Sequence, residues 1–175
     1  MAARTELTLP LLCDVLEREG LLSPEQRRDA LLYEERERAR ILHQRAGAGR
    51  RGASASAAEK VHPAEVIAAL GLNVGGDPRF PLTEQLAVEA FARAINVPYV
   101  ALDPLKIDAK LAVQTLSRPF ARRHQAVVIA GDDACVTVAV ANPLDVELVD
   151  NLRTFVRRQV RLVVAAPSDI QRVIT

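Results

Sequence analysis

Apolar residues in the first part of the chain recur at helical spacing, and those in the last part switch to alternation and to short runs. Leu11, Leu12, Val15 and Leu16 form a stripe of period 3.6, and Gly20 offers the stop that a helix end favours. Ser23-Pro24-Glu25-Gln26 then reads as a helix start. Ser23 can cap, Pro24 suits the first helical position, and Gln26 can reach back to the cap N–H. A long helix is expected from there, with Ala30, Leu31, Ile41 and Leu42 among its apolar positions. The charge-alternating run Glu34-Glu35-Arg36-Glu37-Arg38 is expected to be its solvated face. Residues 46–56, rich in Gly, Ala and Ser, cannot offset the entropy of ordering and read as a linker.

Beyond the linker, residues 63–70 predict a short helix closed by Gly71, and 73–79 a loop. Thr83 caps a helix running to Ile95, with Leu86, Ala90, Phe91, Ala94 and Ile95 facing inward; Asn96 and Pro98 end it. Tyr99-Val100-Ala101-Leu102 is expected to be a short strand, 109–116 a helix and 118–124 a further helical turn. Residues 126–130 and 135–141 form a hairpin about Gly131-Asp132-Asp133. Val136, Val138 and Val140 share one face, and Ala139 and Ala141 opposite are small enough to lie beneath a helix. Asp145 caps the next helix, with Val146, Val149, Leu152 and Val156 as its apolar stripe. Leu162-Val163-Val164 is a third strand, and Ser168 caps a terminal helix. A helix between the second and third strands is long enough to cross the sheet and set them parallel.

The expected fold class is therefore α/β, or α+β: an N-terminal helical subdomain followed by a small, three- to four-stranded mixed sheet packed with helices. The corresponding division is residues 1–45 as helical subdomain, 46–58 as flexible linker and 59–175 as an α/β domain.

Composition narrows the function classes. Hydrophobic residues make up 49% of the 175 but aromatics only 3%, so the core is built from Ala, Val, Leu and Ile. Such a chain lacks the exposed rings of a single-stranded nucleic-acid platform. Lys plus Arg number 23 against 22 Asp plus Glu, a net charge of +1 that gives no global field to gather nucleic acid or an anionic membrane. No apolar run approaches the roughly 20 residues of a spanning helix, the N-terminus lacks a signal-peptide core, and Cys13 and Cys135 read as reduced residues. A cytoplasmic protein without nucleic-acid partner or membrane insertion is expected.

A search for chemistry finds no catalytic constellation, and the expectation is a non-enzyme without metal or cofactor. His43, His62 and His124 sit in separate segments without ligands at chelating spacing, and His62 is expected only to help start the helix at Pro63. Gly47 and Gly52 have the glycine spacing of a phosphate loop, but Ala53-Ser54 stands where Lys and Ser or Thr are required, so Walker A is absent. Asp132-Asp133 falls in a turn where Asp serves the backbone. Arg118, Arg122, Arg123 and His124 make a cationic cluster beside Pro119 and Phe120, which reads first as a solvated cationic face near a strand entrance, with contact to an acidic partner as the alternative.

Several stretches carry a resemblance. Residues 98–108, PYVALDPLKID, follow a helix as in the N-terminal domains of type II secretion and type IV pilus assembly ATPases. Arg118-Pro119-Phe120-Ala121, the run VAVANPLD at 138–145 and the run VVAAPSDI at 163–170 match the same family in order, and 63–69 resembles its type II secretion branch. The resemblance covers about residues 60–175. It implies a bacterial adaptor domain in protein transport. Such a domain docks a motor to the cytoplasmic part of an inner-membrane platform protein and is recruited to that membrane by the partner. The family's ATPase motor would begin where this chain ends, and would be a further partner in the natural gene. The candidate protein-binding face comprises Leu102, Leu105, Lys106, Arg118, Arg122 and Arg123. The mechanism expected is a rigid α/β dock with N-terminal helices swinging on the linker.

Some members of this family resemble cyclic di-GMP receptors built on a motif R-L-G-x-x-L-L-x-x-G-L-L. Leu12, Leu16, Gly20, Leu21, Leu22 and Leu31 stand at matching positions here, so Leu12, Gly20, Leu21 and Leu22 are weak candidates for a nucleotide site. Leu11 replaces the Arg and Cys13 the Gly, and Glu34 stands where a final Gln belongs. A cyclic di-GMP-sensing version of the domain is the alternative function.

Overall fold

The computed structural model describes residues 6–48 and 60–175. The chain divides into two compact units, Thr8–Phe91 and Ala92–Thr175, with Glu6 and Leu7 grouped with the second.

The first unit is helical. α1, Leu9–Arg18, starts at Thr8, whose Oγ1 accepts the Leu11 N–H at 3.4 Å, and buries Leu9, Leu12, Cys13, Val15 and Leu16. Its end is fixed by Gly20 at φ 72°, which lets the Leu21 and Leu22 N–H groups donate to the Leu16 carbonyl at 2.8 and 3.2 Å. α2, Pro24–Ala48, begins with the expected reciprocal cap: the Gln26 N–H donates to Ser23 Oγ at 3.2 Å and the Ser23 N–H to Gln26 Oε1 at 2.9 Å. Gln26 Nε2 also donates to the Asn73 carbonyl at 2.7 Å.

α2 departs from the apolar stripe read in the sequence. Ala30 is buried, but Leu31 and Leu42 are exposed, and Glu37 is buried within the run expected to be solvated. Polar bonds do the holding: Arg38 donates to the Val61 carbonyl at 2.7 Å, Arg40 to the Ala69 carbonyl at 2.9 Å, and Arg45 pairs with Glu65. Glu37 meets Arg40 at 2.8 Å and Arg36 at 3.2 Å, which is how its charge tolerates burial. α2 runs on through Ala46-Gly47-Ala48, residues given to the linker by composition; the rest of that segment up to 58 lies outside the described residues.

α3, Pro63–Ala69, is started by His62 as expected. The Ala64 N–H donates to His62 Nδ1 at 3.1 Å and the His62 N–H to Glu65 Oε2 at 2.8 Å. α4, Glu84–Ala94, is capped by Thr83 and buries Ala87, Val88, Ala90 and Phe91, while Ala94 is exposed. Asn96, at φ 56°, stops the chain from continuing as helix. α3 packs on α1 and α2, so 60–91 groups with the N-terminal helices.

The second unit is an α+β layer structure. A 3-10 turn, Pro104–Lys106, precedes α5, Ala109–Thr115, and α6, Arg118–His124; Asp103, Asp108 and Ser117 cap them in turn. β1, Ala126–Gly131, pairs antiparallel with β2, Cys135–Val140; α7, Val146–Phe155, crosses; and β3, Gln159–Val164, lies parallel to β2. The sheet order is β1-β2-β3. α8, Pro167–Ile174, closes the chain.

Alternation sorts the two faces. Val136, Val138, Val140, Ala126 and Val128 face Leu148 and Leu152 of α7 and Val156. Ala139, Ala141, Val127, Val163 and Ala165 face Ile170 and Ile174 of α8, Ala121 of α6 and Leu102. The inward residue of the first α7 turn is Leu148, fully buried, and not Val146, which is 48% exposed. The segment 99–102 contributes one parallel bridge, Tyr99 to Val164, instead of a strand, because Pro98 has no N–H and Asp103-Pro104 turns the chain away. The terminal helix starts at Pro167 behind Ala166, without a side-chain cap from Ser168.

Candidate docking groove

α5, α6, α8 and β1 leave an apolar groove of about 140 Å³ in the α/β unit. Its walls are Ile107, Ala112, Val113, Ala121, Val173 and Ile174, with Pro104 at one end and Arg118 as its cationic member. Short caps determine this arrangement. The Asp108 carboxylate accepts the Lys110 and Leu111 N–H groups at 3.0 and 3.1 Å, and Ser117 Oγ accepts the Phe120 N–H at 3.4 Å. Gln125, at φ 47°, ends α6 and feeds β1 beneath it.

The structure brings together the two stretches of the candidate face, 102–107 and 118–123, which alternate differently in burial. Leu102 is buried and belongs to the core. Leu105 is 94% exposed, and Lys106 is exposed with Asp103 at 3.8 Å. Arg118 and Ala121 line the groove, and Arg122, one turn after Arg118, shares their side of α6. Arg123 lies about 140° around the helix from Arg118. Arg118, Arg122, Arg123 and Lys110 are exposed, and no ion pair among the described residues falls on them. The nearby carboxylates are engaged: Asp103 and Asp108 cap helices, and Asp169 bonds Arg172 at 2.8 Å. Val113, 62% exposed, is a member of this face that apolar periodicity did not single out.

His124, beside the arginines, is turned inward. Its ring centroid lies 4.5 Å from that of Phe120, and its Nδ1 lies 3.8 Å from Asp145 Oδ2. Asp132 serves the hairpin, accepting the Ala134 and Cys135 N–H groups, both at 2.8 Å, and those bonds lower its pKa from the usual carboxylate range. Among the described residues no three His, Cys, Asp or Glu side chains gather as a metal site, and no helix is long and apolar enough to cross a membrane.

The candidate nucleotide positions lie in the helical unit. Leu12, Leu16 and Leu22 are buried core residues, Leu21 is half-buried and Gly20 is exposed at the turn. Cys13, at the position of the motif's first glycine, is fully buried, and burial raises its thiol pKa to about 11. Glu34 bonds Arg38 at 2.9 Å.

Residues 95–175 match the MshEN domain family. No curated protein matches the chain. Among solved structures, MshE with cdg is similar at 20% identity and a TM-score of 0.54, over 93% of this chain and 95% of that one. The N-terminal domain of XpsE is similar at 17% identity and a TM-score of 0.54, over 97% and 96%. Residues 95–175 are thus similar to the MshEN domain family, and the chain shares the fold of MshE and of the N-terminal domain of XpsE.

Proposed function

We propose that this chain is a non-catalytic docking domain of a type II secretion or type IV pilus assembly ATPase, holding the motor to the cytoplasmic part of an inner-membrane platform protein. The observation that carries it is the convergence of residues 104–107 and 118–122 on one apolar groove flanked by unpaired cations. A groove walled by aliphatic side chains offers no acid, base or nucleophile for turnover, but it suits a partner's apolar side chain. The test is calorimetric titration of the full 175-residue chain with the platform protein's cytoplasmic domain. Saturable binding that weakens on joint reversal of Arg118 and Arg122 to Glu supports the proposal. Absence of binding contradicts it.

A cyclic di-GMP-sensing role is the second reading, favoured by the fold shared with MshE, which was solved with cdg. Against it stand the burial of Leu12, Leu16 and Leu22 and the Cys13 side chain at a glycine position. A parallel titration with cyclic di-GMP decides it: heat of binding supports sensing, and none leaves docking alone.

A further inference from the structure

We infer that the groove takes a single large apolar side chain from a partner segment whose flanking residues are acidic. The inference rests on the docking proposal for the nature of the occupant, a protein, and adds its chemistry.

Size sets the first limit. The free volume is about 140 Å³. Ligand pockets for small molecules usually run from about 300 Å³ upward. A cavity near 150 Å³ takes a benzene-sized guest. The groove is therefore the size of one Phe or Leu side chain and too small to enclose a dinucleotide.

Charge sets the second. Arg118 lines the groove, and Lys110 and Arg122 are exposed on α5 and α6, the helices that wall it; none of the three has a carboxylate partner among the described residues, while Asp103, Asp108 and Asp169 bond backbone N–H groups or Arg172. A neutral or basic segment entering here would leave these cations facing apolar or like-charged groups. An acidic one forms charge-assisted bonds at the rim while its apolar residue is desolvated. Val113, a wall of the groove, and Leu105, next to Pro104 in the chain, are both exposed apolar side chains. One buried anchor within a charged rim is the usual anatomy of an interface hot spot.

The test uses the full isotope-labelled chain and three short synthetic peptides, observed by amide chemical shifts. One peptide carries a central Phe among glutamates, the second has Ala for Phe, and the third has lysines for the glutamates. The Phe–Glu peptide is expected to shift Ile107, Ala112, Val113, Ala121 and Val173, and to bind at least tenfold more tightly than either control. In the chain with Arg118→Glu and Arg122→Glu, both exposed positions, the preference is expected to invert toward the lysine peptide, an outcome that loss of folding cannot mimic. Shifts scattered away from the groove, or equal binding of the Glu and Lys peptides, overturn the inference. If the platform domain binds in calorimetry while the Phe–Glu peptide leaves the groove undisturbed, this inference fails and docking stands. A peptide that seats while the platform domain does not bind upholds the groove's chemistry and removes the proposed partner.

Discussion

Replacing Leu148 by alanine strikes the face of the sheet that α7 covers. Leu148 is fully buried against Val136, Val138 and Val140, together with Leu152. Removing three carbon groups at about 0.8 kcal/mol each loses about 2.4 kcal/mol of transfer free energy. The cavity term brings the expected cost to about 3–4 kcal/mol, because a sheet of short β-branched side chains cannot collapse into the gap. Val146, one position nearer the helix start than its neighbour Glu147, is 48% exposed, and Val146→Ala should stay within about 0.5 kcal/mol. The chain has no Trp and two Tyr, one in each unit, so in a Tyr33→Phe background the fluorescence of Tyr99 reports the α/β unit during urea unfolding. A fall in midpoint for Leu148→Ala, at unchanged slope, with little change for Val146→Ala is the expected result. Equal effects of the two substitutions would mean that α7 presents a different side to the sheet and would refute the packing.

Gly131→Ala would place a Cβ 2.8 Å from Val136 Cγ1 and 3.0 Å from the Cys135 carbonyl oxygen, so it should destabilise the hairpin by about 1–3 kcal/mol in the same assay. The lowered pKa of Asp132 means that its contribution is present above the usual carboxylate pKa and is lost as pH falls through the lower folded value; the stability gap between the native chain and Asp132→Asn should therefore narrow from about pH 7 to about pH 2.5, and a constant gap would count against the Asx turn. Cys135, half-buried, should react with a thiol reagent in the native chain, whereas Cys13, its pKa raised to about 11 by burial, should react only on unfolding; simultaneous labelling would contradict the α1 packing.

The βαβ part was legible because its signals are local and of one period. Alternation in 135–141 separates valines from alanines, and those two sets do face α7 and α8 respectively. Caps were equally readable at Ser23, His62, Thr83 and Asp145, where one side chain serves one nearby N–H. The failures arise where tertiary context or an adjacent residue overrides the local signal. α2 is held by Arg38, Arg40 and Arg45 reaching to carbonyl and carboxylate partners 20 to 29 residues away, which no apolar pattern reveals. Ser168 looked like a cap, but Pro167 at the first helical position starts α8 instead. The groove is made from residues as distant as Pro104 and Ile174, so the sequence yields its parts, Ile107 and Arg118 among them, without their meeting.

The most direct measurement is amide chemical-shift mapping of the full labelled chain during titration with the platform protein's cytoplasmic domain. Docking at the groove predicts perturbations concentrated in 104–122 and at Val173 and Ile174. Perturbations confined to Thr8–Phe91, or none at saturating partner, would contradict it.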